Sequence, residues 1–322
     1  MGMKVLGALV FALAFAAPAL AQEWPARPVR FIIPSGPGGL MESVLAATRE
    51  RIEQQLGQRI VVENRGGGGG TIGAQAVLAA GADGYTFLLT PSNVLVINQF
   101  LAEKPSFDPL REFAPISMLI DVPLVLSVSD RFAPRTLREL IDYSRAHPGK
   151  VNFGSPGPST PPHMAGEMLG RAGKLDMVHV PYKGGAAAAT ALITNEVQLM
   201  IIGYATLRGQ IGAGQVRPVA VAAAERLAAL PDVPTFAEAG FPEIQAEMPR
   251  SWWGLAAPRG VPEAAIRRLH AVFRAALLEP AARKKIEEAG LAVIANDPEA
   301  FTAQLPAEAR KWESIVRALN LR

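Results

Sequence analysis

Cysteine is absent from all 322 residues. Its absence excludes thiol catalysis, disulfide bridges, cysteine-ligated zinc and a lipid-modified cysteine after a leader, while leaving the redox compartment open. Charge is sparse as well. Asp, Glu, Lys and Arg make up 19% of the chain, and 32 basic against 29 acidic residues leave a formal charge of +3. With no Lys/Arg block to track a phosphate backbone, nucleic acid is not an expected partner. The other three histidines (147, 179 and 270) are scattered without metal-ligand spacing. His163 and Glu167 can share a helix face, but two ligands do not make a metal site. His163 is therefore expected to be exposed or to cap a helix, and neither a metal nor a cofactor is expected.

What the chain does have is apolar residues, 49% of the total, enough for two domains of ordinary size. The one long apolar run is "VLGALVFALAFAAPALA" after Lys4, ending at Ala19-Leu20-Ala21. It is shorter than the roughly 20 residues of a spanning helix, contains Pro18, and closes on a small-x-small cleavage pattern. Residues 1–21 thus read as a signal peptide with a mature start at Gln22. No later stretch is long and apolar enough to span, so a soluble, exported protein is expected, periplasmic if the source is bacterial.

From residue 28 short β-rich runs alternate with helical patterns. "PVRFIIP" precedes "GLMESVLAATRERIEQQLG", whose Leu40, Val44, Leu45, Ile52 and Leu56 fall near one face; "RIVVEN" precedes "TIGAQAVLAA", and "YTFLLT" precedes "PSNVLVINQFLA". A second βα series begins after "VPLVLSVSD" (122–130), and the tail from residue 262 is helical. The pattern predicts two α/β lobes, each with a mainly parallel sheet flanked by helices. Ligands of such sheets bind beyond the strand C-termini.

Two such termini are glycine-rich. "IIPSGPGGLMESV" (32–44) and "ENRGGGGGTIGA" (63–74) each pass from strand to helix through glycines. Backbone there can turn sharply, and helix-start N–H groups can donate to an anion. Thr71 is expected to cap the second helix. A single such loop needs no ligand to explain it; two side by side form a cradle for a carboxylate or phosphate. Sharper motifs fail. Gly68, Gly70 and Gly73 satisfy G-x-G-x-x-G, but the following strand lacks the acid that would hold a ribose. No Walker loop occurs. Ser155 in "NFGSPG" lacks the first glycine of a nucleophile elbow, and His163 has no evident orienting acid, so a periplasmic hydrolase is disfavoured and no catalytic residue is assigned.

The leader, "WPARPVRFIIPSGPGG", "VVENRGGGGGTIGA", "DGYTFLL", "FGSPGPSTPPHMAGEM", "DMVHVPYKGGAAA", "LPDVPTFAEAG" and "SWWGLAAPRGVP" occur in this order. Together they resemble the extracytoplasmic solute-binding proteins of the tripartite tricarboxylate transporter family, also called Bug proteins, over nearly all of the mature chain. The resemblance implies a two-lobed, type II-like periplasmic-binding-protein fold that closes on a small organic acid and delivers it to the transporter's membrane permease subunits. A monomer is expected, and a further reading is a ligand-loaded partner of a membrane sensor kinase, using the same cleft but a different docking surface. Lobe 1 is expected at 22–122 plus 225–322, lobe 2 at 123–224, with 251–260 as a hinge strand. By matching motifs, the cleft residues are Ser35, Gly36, Gly38, Gly39, Leu40, Met41, Glu42, Gly69, Gly70, Thr71, Ser155, Gly157, Ser159, Thr160, Tyr182, Lys183, Gly184 and Tyr204.

Departures from the family pattern bear on the solute. Ser35 stands where an aromatic is usual, and Glu42 takes the place of an Asp. Glu42 could reach an ammonium or hydroxyl group, or could simply stabilise a helix N-terminus as a first-turn acid. Ala191 replaces a frequent Asp, and Ile202-Gly203-Tyr204 a frequent Phe-Asp-Asn, so lobe 2 offers few carboxylates. That favours an apolar or aromatic carboxylate over a cationic amino acid. Tyr182 could instead be a half-buried core residue and Lys183 a solvated one. Trp252 and Trp253 could stack on a ligand, though packing at a lobe junction is the expected role.

Overall fold

The structure, a computed structural model, describes residues 24–101 and 105–318; the leader and its cleavage pattern lie outside the described residues. The first sheet is built from β1 (Val29–Ile33), β2 (Ile60–Asn64), β3 (Thr86–Pro91), β4 (Phe113–Asp121), β10 (Trp252–Pro258) and β11 (Ala292–Val293), in the order β11-β4-β10-β3-β1-β2. The second contains β5 (Leu124–Ser129), β6 (Val151–Ser155), β7 (Met177–Pro181), β8 (Leu199–Gly203) and β9 (Val216–Ala222), in the order β7-β6-β8-β5-β9.

The helices between them are α1 (Leu40–Leu56), α2 (Thr71–Ala79), α3 (Ser92–Val96), α4 (Pro109–Glu112), α5 (Leu137–Ala146), α6 (Pro161–Gly173), α7 (Gly185–Thr194) and α8 (Tyr204–Gly212). After β9 come α9 (Pro242–Glu247), α10 (Glu263–Leu277), α11 (Pro280–Glu288) and α12 (Pro298–Ala318). The two-lobed α/β expectation holds. Both sheets are mixed: β1, β2 and β3 run parallel, as do β6, β7 and β8, and antiparallel strands complete each sheet.

β1 shows why the strands read as unbroken apolar runs. Val29, Phe31 and Ile33 point into a core shared with α1 and α10, while Ile32 points the other way, into a core shared with α2 and α12. A strand covered on both faces has no solvent side on which to alternate. α1 buries Met41, Val44, Leu45, Thr48, Ile52 and Leu56 along one stripe and stops at Gly57, whose φ of 69° takes the left-handed C-cap.

The chain crosses from the first sheet to the second between Asp121 and Leu124 and returns between Ala222 and Trp252. The crossings are tied together where the Val122 N–H donates to the Ser251 carbonyl at 2.7 Å. Residues 251–260, expected to run along the hinge, are instead mostly a central strand between β4 and β3, with only the Ser251 end at the crossing.

Candidate functional site

All three parallel strands of the first sheet end at the same edge, and their tips hold one another. Gly66 packs so closely on the first tip that a Cβ there would lie 3.1 Å from the Gly36 nitrogen. Asn64 Nδ2 donates to the carbonyls of Ser35 (3.3 Å) and Gly36 (3.4 Å). The glycine run is required by its conformation: Gly67, Gly68, Gly69 and Gly70 all have positive φ, at 119°, 57°, 63° and 96°. No other residue type tolerates four such positions in a row. Gly70 is the helix cap, and Thr71, at φ −58° and ψ −40°, is already helical. Thr71 is therefore the first residue of α2 and not its cap, a correction that follows from the tightness of the turn.

Among the described residues, no acceptor in the protein meets the N–H groups of Ser35, Gly36 or Gly38. A Cβ at Gly36 or Gly38 would touch nothing within 4 Å, so this backbone borders open space. Gly39 differs, because its N–H donates to the Glu42 carboxylate. Of the two roles open to Glu42, the structure supports the helix-start one. Leu40 is half-buried against the lobe-1 core, and Met41 is 1% exposed inside it. Met41 is thus corrected to a packing residue, since it shares the helix face of Val44, Leu45 and Thr48.

The tips of the second sheet are closed by Ser155, Gly157, Ser159 and Thr160 from one loop and Tyr182 to Gly184 from the next. Tyr182 and Gly184 donate their N–H groups to the carbonyls of Ser155 (2.9 Å) and Pro156 (3.0 Å). Thr160 caps α6: its hydroxyl accepts from the His163 N–H at 3.4 Å and donates to the Gly157 carbonyl at 2.8 Å. α7, by contrast, begins at Gly184 with no side-chain cap. The two lobes touch at their loops: a Cβ on Gly69 would sit 3.6 Å from the Ser159 Cβ.

Two assigned side chains prove to be engaged elsewhere. The Tyr182 hydroxyl donates to Glu196 at 2.8 Å, ahead of β8 and so toward the end of the strand remote from Gly203. Burial and that carboxylate push the phenol up to about 12. Tyr204 is 8% exposed and packs with Val125, Val221, Leu230 and Val233 and against Gly290 of lobe 1; it is corrected to a core residue. Lys183 is exposed.

Residues 44–321 match the sequence pattern described as the tripartite tricarboxylate transporter family receptor. The chain belongs to this family. Protein BugT of Bordetella pertussis is 30% identical over 98% of this chain and 96% of its own. Among solved structures, Rhodopseudomonas palustris Rpa4515 with adipate has a TM-score of 0.87 at 29% identity, covering 92% of this chain and 99% of that one. MatC from the same organism, with bound malate, has a TM-score of 0.84 at 29% identity, covering 91% and 100%.

In this solute-binding receptor the lobe-2 loop rests on histidines that the sequence kept apart. His163 is buried, contrary to expectation: its Nδ1 accepts the Ser159 N–H at 3.2 Å, and its Nε2 lies 3.4 Å from Glu167. Its ring lies against that of His179, with centroids 4.0 Å apart and planes tilted by 30°, a contact made because β7 lies beside β6. His179 Nε2 is 2.7 Å from Ser155 Oγ. Ser155 is fully buried, and its Oγ also donates to the Gly157 carbonyl (3.0 Å) and accepts the Gly157 N–H (3.2 Å). The Ser155 hydroxyl is thus shared between the imidazole and its own loop.

Burial, helped by His163, lowers the His179 pKa from 6.5 to about 4, while Glu167 opposes the shift. Between those two values the unfolded chain binds a proton that the folded one refuses, so stability is expected to fall as pH drops from 6.5 toward 4. Thermal melts across that range should show a shallower slope for His179→Gln than for the wild type; equal slopes would remove His179 as the source.

Proposed function

We propose that this receptor captures a small organic acid between its lobes and delivers it to the permease subunits of a tripartite tricarboxylate-type secondary transporter in the bacterial envelope. One observation carries the reading: among the described residues the N–H groups of Ser35, Gly36 and Gly38 have no protein acceptor, space is open around the Gly36 and Gly38 Cα positions, and this tip packs on the glycine run whose Gly69 meets Ser159 of lobe 2. Neutral donors fixed by glycine turns can hold a carboxylate without a salt bridge, and closure of the lobes would exclude water and strengthen each bond.

On this reading Ser35, Gly36, Gly38, Gly69, Ser159 and Gly184 line the cleft through their backbone and small side chains, and Lys183 lies at its rim. The adipate and malate held by the two Rhodopseudomonas proteins make dicarboxylates the first class to try. Ala191 and Ile202 are buried in the core of lobe 2, so neither lines the cleft.

A thermal-shift panel of adipate, malate, citrate and amino acids is the test. A bound acid at a hundredfold excess over Kd should add about 2.7 kcal/mol of stability, and native mass spectrometry should show one acid per chain. Stabilisation by amino acids alone would overturn the dicarboxylate reading and the preference for a solute without an ammonium group.

A further inference from the structure

Five consecutive glycines leave the second turn of lobe 1 with more conformational freedom than any other segment of similar length, and that freedom must be removed for the turn to present a defined set of donors. The restraint comes from a third strand tip, in "PSNVLVINQF" (91–100). Asn93 Nδ2 and Asn98 Nδ2 converge on one atom, the Gly69 carbonyl oxygen, at 2.6 and 3.0 Å. Asn93 Nδ2 also donates to Asn98 Oδ1 at 3.2 Å, which sets the orientation of the second amide. Asn93 is 1% exposed, and α3 around it is buried throughout, so the pair is anchored in the lobe and not in the turn.

Ser159 of lobe 2 approaches the same residue, for a Cβ on Gly69 would lie 3.6 Å from both Ser159 Cβ and Asn98 Nδ2, while the Gly70 N–H is held by the Gly67 carbonyl at 3.0 Å. The Gly69–Gly70 peptide is thus fixed at both its oxygen and its nitrogen. What remains free to change within the run is the direction of the Gly68 and Gly69 N–H groups, and the clamp on the Gly69 carbonyl governs it.

We propose that Asn93 and Asn98 are positioning residues for solute binding: they hold the glycine turn in its left-handed shape at the point of interlobe contact. The proposal rests on the reading of the cleft as an organic-acid site. Neither side chain has to touch the solute. Asn98→Asp keeps the shape of the side chain but puts a carboxylate oxygen where a donor met the Gly69 carbonyl; Asn98→Ala removes the donor without adding charge.

The experiment measures hydrogen exchange of residues 66–72 and titration calorimetry with adipate and with malate, on full-length mature protein. Both variants should melt close to the wild type, because Asn98 is only half-buried. Exchange in 66–72 should rise in both, and affinity for whichever acid the wild type binds should fall about tenfold, since the half-buried Gly69 carbonyl keeps only its bond to Asn93. Unchanged exchange in both variants overturns the clamp, whatever the solute. Increased exchange with affinity within about twofold of wild type overturns its role in binding. A wild type that binds neither acid defeats the dicarboxylate reading, and the exchange measurement still decides the clamp.

Discussion

Replacing Trp252 by alanine is expected to remove about 3–5 kcal/mol of stability, a large share of the roughly 5–15 kcal/mol that holds a folded chain together. Trp252 is completely buried at the start of β10, one residue beyond the Ser251 carbonyl that ties the two crossings. Its ring meets Phe301 edge-on at 5.2 Å and 85°, and its Nε1 donates to both Glu308 oxygens, at 2.8 and 3.0 Å. The alanine variant therefore opens a cavity and also strips a half-buried carboxylate of its donor.

Burial already holds the Glu308 carboxyl above its usual range, against the opposing pull of the indole and of Arg250. Trp252→Phe should cost less, about 1–3 kcal/mol, since it keeps the aromatic packing and loses the N–H. Urea unfolding followed by circular dichroism separates the two variants. An alanine variant within about 1 kcal/mol of wild type would show that the cavity collapses without penalty.

The second large effect is a reversal of sign. Alanine in place of glycine inside an exposed helix normally stabilises it by about 1 kcal/mol. Gly209→Ala, in α8, should follow that rule, for a Cβ there meets nothing within 4 Å. Gly73→Ala, in α2, should do the opposite. Its Cβ would stand 2.7 Å from Pro34 Cβ and 2.8 Å from both Pro34 Cα and the Arg65 carbonyl oxygen. Two of these are backbone atoms at the roots of both glycine turns and the third belongs to a proline ring, so none can rotate out of the way.

The crowding is expected to cost about 1–3 kcal/mol and to spread the two turns apart. Misplaced donors should then lower solute affinity by more than about tenfold, which is only 1.4 kcal/mol. Melting temperatures of the two variants should move in opposite directions. A Gly73→Ala protein as stable and as tightly binding as wild type would mean that the turns need not touch.

Much of this arrangement follows from local rules. The strands of both lobes, the glycine turns at their tips and the stop of α1 at Gly57 all stem from side-chain pattern and φ preference, which neighbouring residues decide. Met41 was also readable, since its spacing from Val44, Leu45 and Thr48 places it on the buried face of α1. Asparagines at a strand end, 64, and in the segment after β3, 93 and 98, were a signal as well, because an amide at a turn commonly satisfies a stray carbonyl.

The chain order alone determined the βα alternation, the position of each glycine turn and the class of group such turns can hold, because these depend on contacts between near neighbours. Only the tertiary structure decided that His179 would lie against His163, that Asn98 would reach Gly69, and that Trp252 would pack on Phe301 and Glu308 rather than meet a solute. Each of those contacts joins segments brought together by sheet order or by the return of the C-terminal helix. Their energies come from burial, ring contacts and hydrogen bonds whose partners lie 16 to 56 residues apart, a distance over which residue spacing carries no geometric information.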